Sequence, residues 1–370
     1  MRKTVYLDNA ATSFPKPSKV IRAVNHLIRH ECANPGRSTH GMSLRCAEIV
    51  YDTREAIANY LNFDHPEQVV FTHNATHALN MAIKGKIRGK CHIITSDIEH
   101  NSVLRPLYKQ ANEFGAEISV FDSDKPLTES LLPLIRDDTR FIVTTLASNV
   151  TGKTIDPIEL SKIASERGIY TVIDASQYLG HLPLDLSYTP FDIVCAPGHK
   201  ALFGLQGGGF SVFRAQEELY TILEGGSGID TFNRDMPNAL PERYEAGTLN
   251  MPAIVSLGAG ISYISEIGTE VVKERLDALT EHLAEVLITA GAHIYGCENG
   301  IAAFDLPGYD TVRVARHLDE CKIATRSGSH CAPLVHKKLG TQEKGVIRAS
   351  LSIMNTVADV DALYKALRRI

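Results

Sequence analysis

The sequence predicts an α/β fold: a mostly parallel seven-stranded sheet with helices on both faces, together with a smaller α+β domain. From about residue 69 to 213, short apolar segments alternate with segments of helical periodicity. These segments are apolar on both faces, as in strands that helices cover from both sides. Ligands bind such folds beyond the carboxyl ends of the strands, so the polar residues after each segment are the functional candidates.

The strands of this sheet are predicted, in chain order, at 68–72, 91–95, 117–121, 141–145, 170–173, 192–195 and 209–213. After residue 241 the pattern changes to longer helices. The clearest helix, 269–290, carries one apolar stripe made of Val271, Val272, Leu276, Leu279, Leu283 and Val286. We therefore expect residues 15–245 to form a large ligand-binding domain, and residues 1–14 and 246–370 to form a small domain.

The composition of the 370-residue chain excludes several classes of protein. A net charge of -5 and a hydrophobic content of 44% are near average, so neither a nucleic acid nor a membrane partner is indicated. The 7 cysteines are scattered and form no CxxC pair, which argues against a disulfide framework and a zinc site. Since no signal peptide or spanning segment is recognisable, we expect a cytoplasmic protein without a bound metal.

Two charged residues follow neighbouring predicted strands. Asp174 ends the apolar segment 170–174, and Lys200 lies beyond the next strand in the motif Ala-Pro-Gly-His-Lys-Ala. A lysine amine and a carboxylate so placed can hold pyridoxal phosphate by its aldehyde carbon and its ring nitrogen. Alone, Asp174 is more often a helix N-cap and a lysine is more often a solvated charge. The apolar surroundings of Lys200 favour a desolvated Schiff-base lysine.

Polar residues also follow the first two predicted strands. Thr76 begins a helical pattern after the strand at 68–72, and free N–H groups at a helix N-terminus suit a phosphate. His100 follows the strand at 91–95, where an imidazole can stack on a flat cofactor and move protons. Taken alone, Thr76 is equally well explained as a cap, and His100 is better explained as a structural histidine.

The carboxyl-terminal part contains a single cysteine in the turn-rich segment 324–333. Cys331 stands beside His330 and near Arg326, a positively charged setting that favours the nucleophilic thiolate. A small loop residue explains Cys331 about as well. Arg348 lies in a further predicted strand, where its guanidinium can bind a substrate carboxylate with two hydrogen bonds.

Together these segments resemble the cysteine desulfurase and selenocysteine lyase family, in the class V branch of fold-type I pyridoxal-phosphate enzymes. The resemblance runs from residues 6–12 to residues 348–351. It implies that Lys200 forms the Schiff base, Asp174 pairs with the ring nitrogen, Gln177 contacts the phenolic oxygen and His100 stacks over the ring.

The resemblance assigns further roles around the cofactor and the substrate. Asn149 matches an asparagine that contacts cofactor or substrate, and Ala75, Thr76 and His199 match the phosphate-binding residues. Thr248 matches a threonine that the partner subunit of a homodimer supplies. By the same resemblance Arg348 binds the substrate carboxylate, and Arg326 also lies at the substrate. Cys331 takes the substrate sulfur.

The motif around Cys331 also indicates a subtype. Residues 326–333, Arg-Ser-Gly-Ser-His-Cys-Ala-Pro, resemble the group II enzymes, which have a short, ordered cysteine loop. Pro197 departs from the family, which usually has a serine or threonine there, so one hydrogen bond to the phosphate is missing. Asn9 and Asn101 also differ from the commoner residues near the substrate pocket.

The expected reaction is a cysteine desulfuration. L-cysteine or L-selenocysteine is the expected substrate, with alanine released and a persulfide left on Cys331 for an acceptor protein or thiol. Within the same cofactor class the alternatives are a selenocysteine lyase, a β-lyase acting on another sulfur amino acid, and a class V aminotransferase. A sulfur-relay scaffold without catalysis is the alternative from another class, although the set of Lys200, Asp174, His100 and Arg348 argues against it.

Overall fold

The computed structural model describes residues 4–36, 38–216 and 218–370. Its central sheet has seven strands in the order β2-β8-β7-β6-β5-β3-β4. All run parallel except β8, which is antiparallel to both of its neighbours. The strands are β2 (Val69–Thr72), β3 (His92–Ser96), β4 (Glu117–Phe121), β5 (Thr139–Thr145), β6 (Tyr170–Asp174), β7 (Ile193–Pro197) and β8 (Gly209–Phe213). The predicted fold class is confirmed, and predicted strand ends differ from the observed ends by at most two residues.

Helices cover both faces of this sheet. They are, up to the middle of the chain, α1 (Ser18–His26), α2 (Gly41–Tyr60), α3 (Ala75–Lys86), α4 (Asn101–Phe114), α5 (Leu127–Ser130) and α6 (Pro157–Ser165). One face packs against α3 and α4 through Leu79, Val103 and Leu107. The other face packs against α2, α6 and a later helix, α7 (Met251–Ile267). The parallel strands other than the edge strand β4 are therefore buried on both sides, which explains their apolar sequences.

The carboxyl-terminal part builds a second, antiparallel sheet in the order β12-β13-β10-β9. Its strands are β9 (His293–Glu298), β10 (Ile301–Asp305), β12 (Arg326–Gly328) and β13 (Val346–Ser350). Its helices are α8 (Thr269–Thr289), α9 (Thr311–Glu320), α10 (Pro333–Leu339) and α11 (Val357–Leu367). Helix α8 matches the predicted helix, but Val271 of the predicted apolar stripe is 51% exposed, whereas the other five stripe residues are buried.

The amino-terminal segment joins the two parts. Strand β1 (Val5–Tyr6) pairs in parallel with β11 (Ile323–Ala324), and Leu7 packs in the core of the second sheet. The N–H of Ala10 then donates to the Ser350 hydroxyl at 2.9 Å. These contacts place residues 8–13 between β13 and the carboxyl ends of the central strands. Among the described residues, no helix has the length and apolar character needed to cross a membrane.

Candidate active site

A cavity of about 230 Å³ lies where the carboxyl ends of β3, β5, β6 and β7 meet the second sheet. Ten of the twelve residues predicted from sequence line it: Ala75, Thr76, His100, Asn149, Asp174, Gln177, His199, Lys200, Arg326 and Arg348. The remaining two, Thr248 and Cys331, lie outside its lining. The described part of the chain contains no group of three side chains suited to hold a metal ion.

Lys200 lies just beyond β7, in the turn that follows Pro197. Burial lowers the pKa of its amine to about 8, against the opposing attraction of Asp174. Arg348 and Arg326 lower it further because they place positive charge on the same cavity. About one tenth of the amine is therefore unprotonated at pH 7, far more than for an ordinary lysine, and the unprotonated form is the nucleophile.

Asp174 is the last residue of β6 and is only 3% exposed. One carboxylate oxygen, Oδ1, accepts the Ser176 N–H at 2.9 Å. No described cation lies within ion-pair distance of this carboxylate, since it takes part in none of the observed salt bridges. A nearly buried carboxylate without a cation, turned to a cavity, is suited to a positively charged ring nitrogen.

His100 is the N-cap of α4, and its Nδ1 accepts the Ser102 N–H at 3.1 Å. Burial lowers the pKa of this imidazole, so the neutral form is favoured. Since Nδ1 is the acceptor, the proton of the neutral ring is assigned to Nε2. The Ser102 hydroxyl also lies 2.9 Å from Nδ1 and 2.8 Å from the Thr76 hydroxyl, which connects α4 to the start of α3.

Glu99, the residue before His100, is fully buried and was not predicted as functional. Its carboxylate accepts the Thr145 N–H at 2.9 Å and the Thr144 hydroxyl at 2.7 Å, both from β5. It also accepts the Ser96 hydroxyl at the end of β3. Burial raises the pKa of Glu99 to about 7 despite these hydrogen bonds. Glu99 thus joins the ends of two parallel strands directly beside His100.

The amino end of α3 forms one wall of the cavity. Asn74 caps the helix by accepting the His77 N–H at 2.8 Å, which leaves the N–H groups of Ala75 and Thr76 for a ligand. On the same cavity, burial lowers the pKa of His199 to about 4, so this imidazole is neutral. Neutral donors at a helix N-terminus are suited to a phosphate.

The glycine-rich run at 204–209 packs against the chain itself. A Cβ on Gly209 would lie 2.8 Å from the Asn74 backbone and 2.9 Å from the Ala196 carbonyl oxygen. Gly209 therefore lets β8 pass closely behind the amino end of α3. The run thus acts behind the cavity wall, by placing Asn74 at the amino end of α3.

Asn149 and Arg348 connect the cavity to the second sheet. The Asn149 side-chain amide donates to the His330 carbonyl at 2.8 Å, and Arg348 donates to the Asn149 carbonyl at 2.8 Å. The other terminal nitrogen of Arg348 donates to Asp8 at 2.7 Å. Both terminal nitrogens thus already have protein partners, whereas the Arg348 Nε is buried without one. Gln177 donates to the Ala10 carbonyl at 2.9 Å and keeps one amide hydrogen for the cavity.

Cys331 is exposed, and its loop is held in an unusual backbone conformation. Both His330 and Cys331 have positive φ, 49° and 57°, although neither is glycine. The Cys331 carbonyl accepts the N–H of Asn101 at the start of α4 at 2.8 Å, and the His330 carbonyl accepts Asn149. The loop is therefore short and tied to the central sheet at two consecutive residues.

The positive setting expected around Cys331 is only partly present. Burial lowers the pKa of His330 to about 3, with Arg348 acting in the same direction, so this imidazole is neutral. It stacks at 6.1 Å on His336 and faces the cavity. The expectation that His330 adds positive charge beside the thiol is wrong, because a cation there would be desolvated and would face Arg348.

Thr248 lines a different hollow, together with Thr72, His73 and Glu245 at the outer side of α3. It is not part of the cavity of its own chain. Its predicted role in the cavity of a partner subunit stays a prediction.

The sequence reasoning missed several lining residues. They are Ala10, Ala11, Asn74, Ile98, Ser102, Thr145, Ala147 and Ser176. Pro197 was considered only as a departure at the phosphate site, and His330 only beside the thiol. Asn74, Ser102 and Ser176 each lie within two residues of a strand end or a predicted site residue, a signal that could have found them. Ala10 and Ala11 reach the cavity only because the amino-terminal segment pairs with β13.

Four buried polar atoms around the cavity have no hydrogen-bond partner: Asn149 Oδ1, His199 Nδ1, His330 Nδ1 and Arg348 Nε. An unpaired buried polar group costs about 1–3 kcal/mol, so such a set indicates a polar ligand. The lysine amine, the unpaired Asp174 and the free helix N-terminus agree with pyridoxal phosphate at its aldehyde, ring nitrogen and phosphate. The residues present therefore fit this cofactor.

Comparison with known proteins identifies the family of the chain. The family model Aminotransferase class-V matches residues 5–363. A probable cysteine desulfurase of Methanothermobacter thermautotrophicus is 32% identical over 384 residues, with 100% of this chain and 95% of the relative covered. A cysteine desulfurase of Klebsiella pneumoniae is 32% identical over 383 residues, with 99% and 93% covered.

Solved structures give the same result. The apo cysteine desulfurase of Thermococcus onnurineus superposes with a TM-score of 0.90 at 27% identity, over 99% of this chain and 94% of the other. The cysteine desulfurase CsdA of Escherichia coli, in an S-sulfonic acid form, gives 0.89 at 28% identity, with the same coverage. The chain is therefore a member of the class-V aminotransferase family and is similar over its whole length to cysteine desulfurases.

Proposed function

We propose that this chain is a pyridoxal-phosphate-dependent cysteine desulfurase. It converts L-cysteine to L-alanine and leaves the sulfur on Cys331. The observation that carries the proposal is the shared cavity of Lys200, Asp174 and Arg348, with Cys331 on the hollow next to it. His100, Ser102 and Thr76 line both spaces and thus connect them.

When bound, pyridoxal phosphate supplies an electron sink for the carbanion that forms at the substrate α-carbon. Lys200 would hold its aldehyde end, Asp174 its ring nitrogen and Gln177 its phenolic oxygen. The amino end of α3 with His199 would hold the phosphate, and His100 would cover the ring face.

The chain's own groups then perform the proton transfers. The pKa of about 8 leaves the Lys200 amine partly unprotonated at neutral pH, so its Nζ can take the substrate α-proton. Asp174 stays buried, and its carboxylate would keep the ring nitrogen positively charged, which lets the ring accept electrons. The Nε2–H of the neutral His100 donates a hydrogen bond into the cavity, because its Nδ1 is held by the Ser102 N–H.

Arg348 is the proposed anchor of the substrate carboxylate. Its unpaired Nε supplies one hydrogen bond. The terminal nitrogen that now donates to Asp8 supplies a second one if Asp8 turns away. Asp8 can do so, since its side chain is 22% exposed. Arg326, which faces the same cavity, adds positive charge.

The sulfur step balances without an external oxidant. The Cys331 thiolate attacks the substrate sulfur, the carbon–sulfur bond breaks, and a sulfur–sulfur bond forms on Cys331. The electron pair of the broken bond stays with the carbon fragment, which takes up protons and leaves as alanine. The sum is L-cysteine plus thiol giving L-alanine plus persulfide.

The test is a product assay with L-cysteine, L-selenocysteine and other sulfur amino acids. We expect equal amounts of alanine and persulfide sulfur from L-cysteine, and loss of both in Cys331→Ser. Cleavage of selenocysteine alone would make the protein a selenocysteine lyase, and formation of glutamate from 2-oxoglutarate would make it an aminotransferase. Borohydride treatment, followed by peptide mass analysis, should place pyridoxal phosphate on Lys200.

We further propose a homodimer in which Thr248 of one subunit contacts the phosphate in the other. Its position outside the cavity of its own chain supports this arrangement. Mixed dimers of Lys200→Ala and Thr248→Ala chains provide the test. One intact site should form if Thr248 acts across the interface, whereas no activity should return if it acts within its own chain.

A further inference from the structure

A second hollow, of about 410 Å³, adjoins the catalytic cavity on the side of Cys331. We call it the entry hollow. Its walls are one face of α3 and one face of α4, and Cys331 lies at its inner end beside Thr76 and His100. Because Thr76 and His100 also line the cavity, the hollow leads from solvent to the thiol.

The spacing of the wall residues explains the shape of the hollow. Helix α3 contributes Thr76, Asn80 and Lys84, and α4 contributes Asn101, Arg105 and Lys109. In each helix the three positions are separated by four residues, so they form one row on one face. Both rows start with a neutral polar residue near the cavity and end with a cation further out. Both helices also point their positive amino ends toward the cavity.

The hollow is positively charged although the whole chain carries a net charge of -5. Its lining contains Lys84, Arg105 and Lys109 and no acidic residue. Lys109 pairs with Glu113, whereas Lys84 and Arg105 take part in none of the ion pairs found among the described residues. Arg105 acts on the inner end as well, since its charge lowers the pKa of His100. Such a field raises the local concentration of anions beside Cys331.

We propose that the entry hollow binds the sulfur acceptor as a small thiol carrying two or more negative charges. The proposal rests on the proposed function, which places the persulfide on Cys331. The volume lies within the range of about 300–1,000 Å³ typical of small-molecule sites. A protein partner needs about 800 Å² of its own surface, whereas the cationic features here are confined to two helix faces.

The transfer step balances on its own. The acceptor thiolate attacks the outer sulfur of the Cys331 persulfide, a new sulfur–sulfur bond forms on the acceptor, and the bond at Cys331 breaks. Cys331 leaves as a thiolate and takes up the proton that the acceptor lost. Because two backbone contacts hold the Cys331 loop in place, the thiol stays at the hollow, where a bound acceptor can reach it.

The first experiment measures the hollow without catalysis. Cys331 is alkylated with anionic iodoacetate or neutral iodoacetamide, and the peptide that contains it is followed by mass analysis. We expect the iodoacetate to iodoacetamide rate ratio to exceed that of free cysteine about tenfold. The ratio should fall toward the free value in Lys84→Gln/Arg105→Gln and at high salt. The control Lys162→Gln/Arg316→Gln changes the net charge equally, on α6 and α9, and should keep the ratio.

The second experiment uses the persulfide form. Transfer to mercaptosuccinate, a dianion, should be about tenfold faster per thiolate than transfer to neutral mercaptoethanol, and only the Lys84/Arg105 variant should lose this preference. Equal rates for both thiols, or a preference that survives the variant, would overturn the proposal. Faster transfer to an acidic cysteine-containing peptide than to mercaptosuccinate would show that the acceptor is a protein and not a small thiol. If no persulfide forms, the proposed function fails, while the alkylation ratio still decides the charge of the hollow.

Discussion

Replacement of Lys338 by methionine tests how the loop that contains Cys331 is held. Lys338 lies on α10, the helix that begins two residues after Cys331. Its amine lies 2.7 Å from each of three carboxylates, those of Asp97, Asp122 and Asp124, in the segments that follow β3 and β4. This Lys338 cluster joins the cysteine loop to the central sheet.

The energy of the cluster follows from its exposure. The side chain of Lys338 is 25% exposed, and those of Asp97, Asp122 and Asp124 are 15%, 40% and 60% exposed. Exposed ion pairs contribute about 0.2–1 kcal/mol each, and the Asp97 pair is near the upper end. The three pairs together stabilise the contact by about 2 kcal/mol, and removal of the cation also leaves three carboxylates facing each other.

The pH window of this contribution has two limits. Burial lowers the pKa of Lys338, but hydrogen bonds to the three carboxylates raise it by more. The stability that Lys338 contributes is therefore complete below the ordinary lysine pKa. It is lost as pH rises through the pKa of the folded state. The pKa of Asp122 is lowered chiefly by its hydrogen bond to Lys338. The stability that Asp122 contributes is therefore lost as pH falls through the pKa of its folded state. The cluster should therefore stabilise between about pH 4 and pH 10.

The assay is amide hydrogen exchange of the peptide that contains residues 331–339. A loss of about 2 kcal/mol should make exchange about 30-fold faster in Lys338→Met at low salt, and the effect should shrink in 1 M salt. Lys337→Met is the matched control, because Lys337 is exposed and takes part in no ion pair found among the described residues. Equal exchange rates in the two variants would show that the Lys338 cluster does not hold the Cys331 loop.

Three further predictions concern the cavity. Uptake of pyridoxal phosphate by the apoprotein should accelerate with pH, with a midpoint near 8 and a plateau above it, because the free amine of Lys200 is the reacting form. A midpoint near the ordinary lysine pKa would contradict the burial of this amine. Glu99→Gln places an amide among N–H and O–H donors, so it should shift the pKa of the neighbouring His100, as measured by NMR, and lower kcat about tenfold. An unchanged titration of His100 would show that Glu99 is a purely structural residue. Arg348→Lys should raise KM for L-cysteine at least tenfold with a smaller effect on kcat, as measured by steady-state kinetics, since lysine cannot reproduce the guanidinium fork.

Much of the fold and of the cavity follows from local sequence. Strands β6 and β7 are short apolar segments with Val and Ile, and each ends in a polar or turn-forming residue. That pattern places Asp174 and Lys200 at the same edge of a parallel sheet, where both are found. Thr76 and His100 were found by the same rule, since each follows a strand and begins a helix.

Other features depend on contacts between distant segments and leave no local signal. Glu99 looks like an ordinary charged residue until Thr144 and Thr145 of β5 surround its carboxylate. The Lys338 cluster likewise exists only because α10 packs beside the segments after β3 and β4. The positive φ at Cys331 is disfavoured for a residue with a Cβ, and the Asn101 N–H that holds its carbonyl comes from another part of the chain.

The claim that Cys331 takes the sulfur of L-cysteine can be tested by mass analysis of the Cys331 peptide. The protein is loaded with pyridoxal phosphate and reacts with L-cysteine without an acceptor thiol. We expect that peptide to gain one sulfur atom, which a reducing thiol removes, with one alanine formed per sulfur bound. Lys200→Ala should show neither product. Alanine formation with an unmodified Cys331 peptide, or sulfur on another cysteine such as the exposed Cys32, would contradict the account.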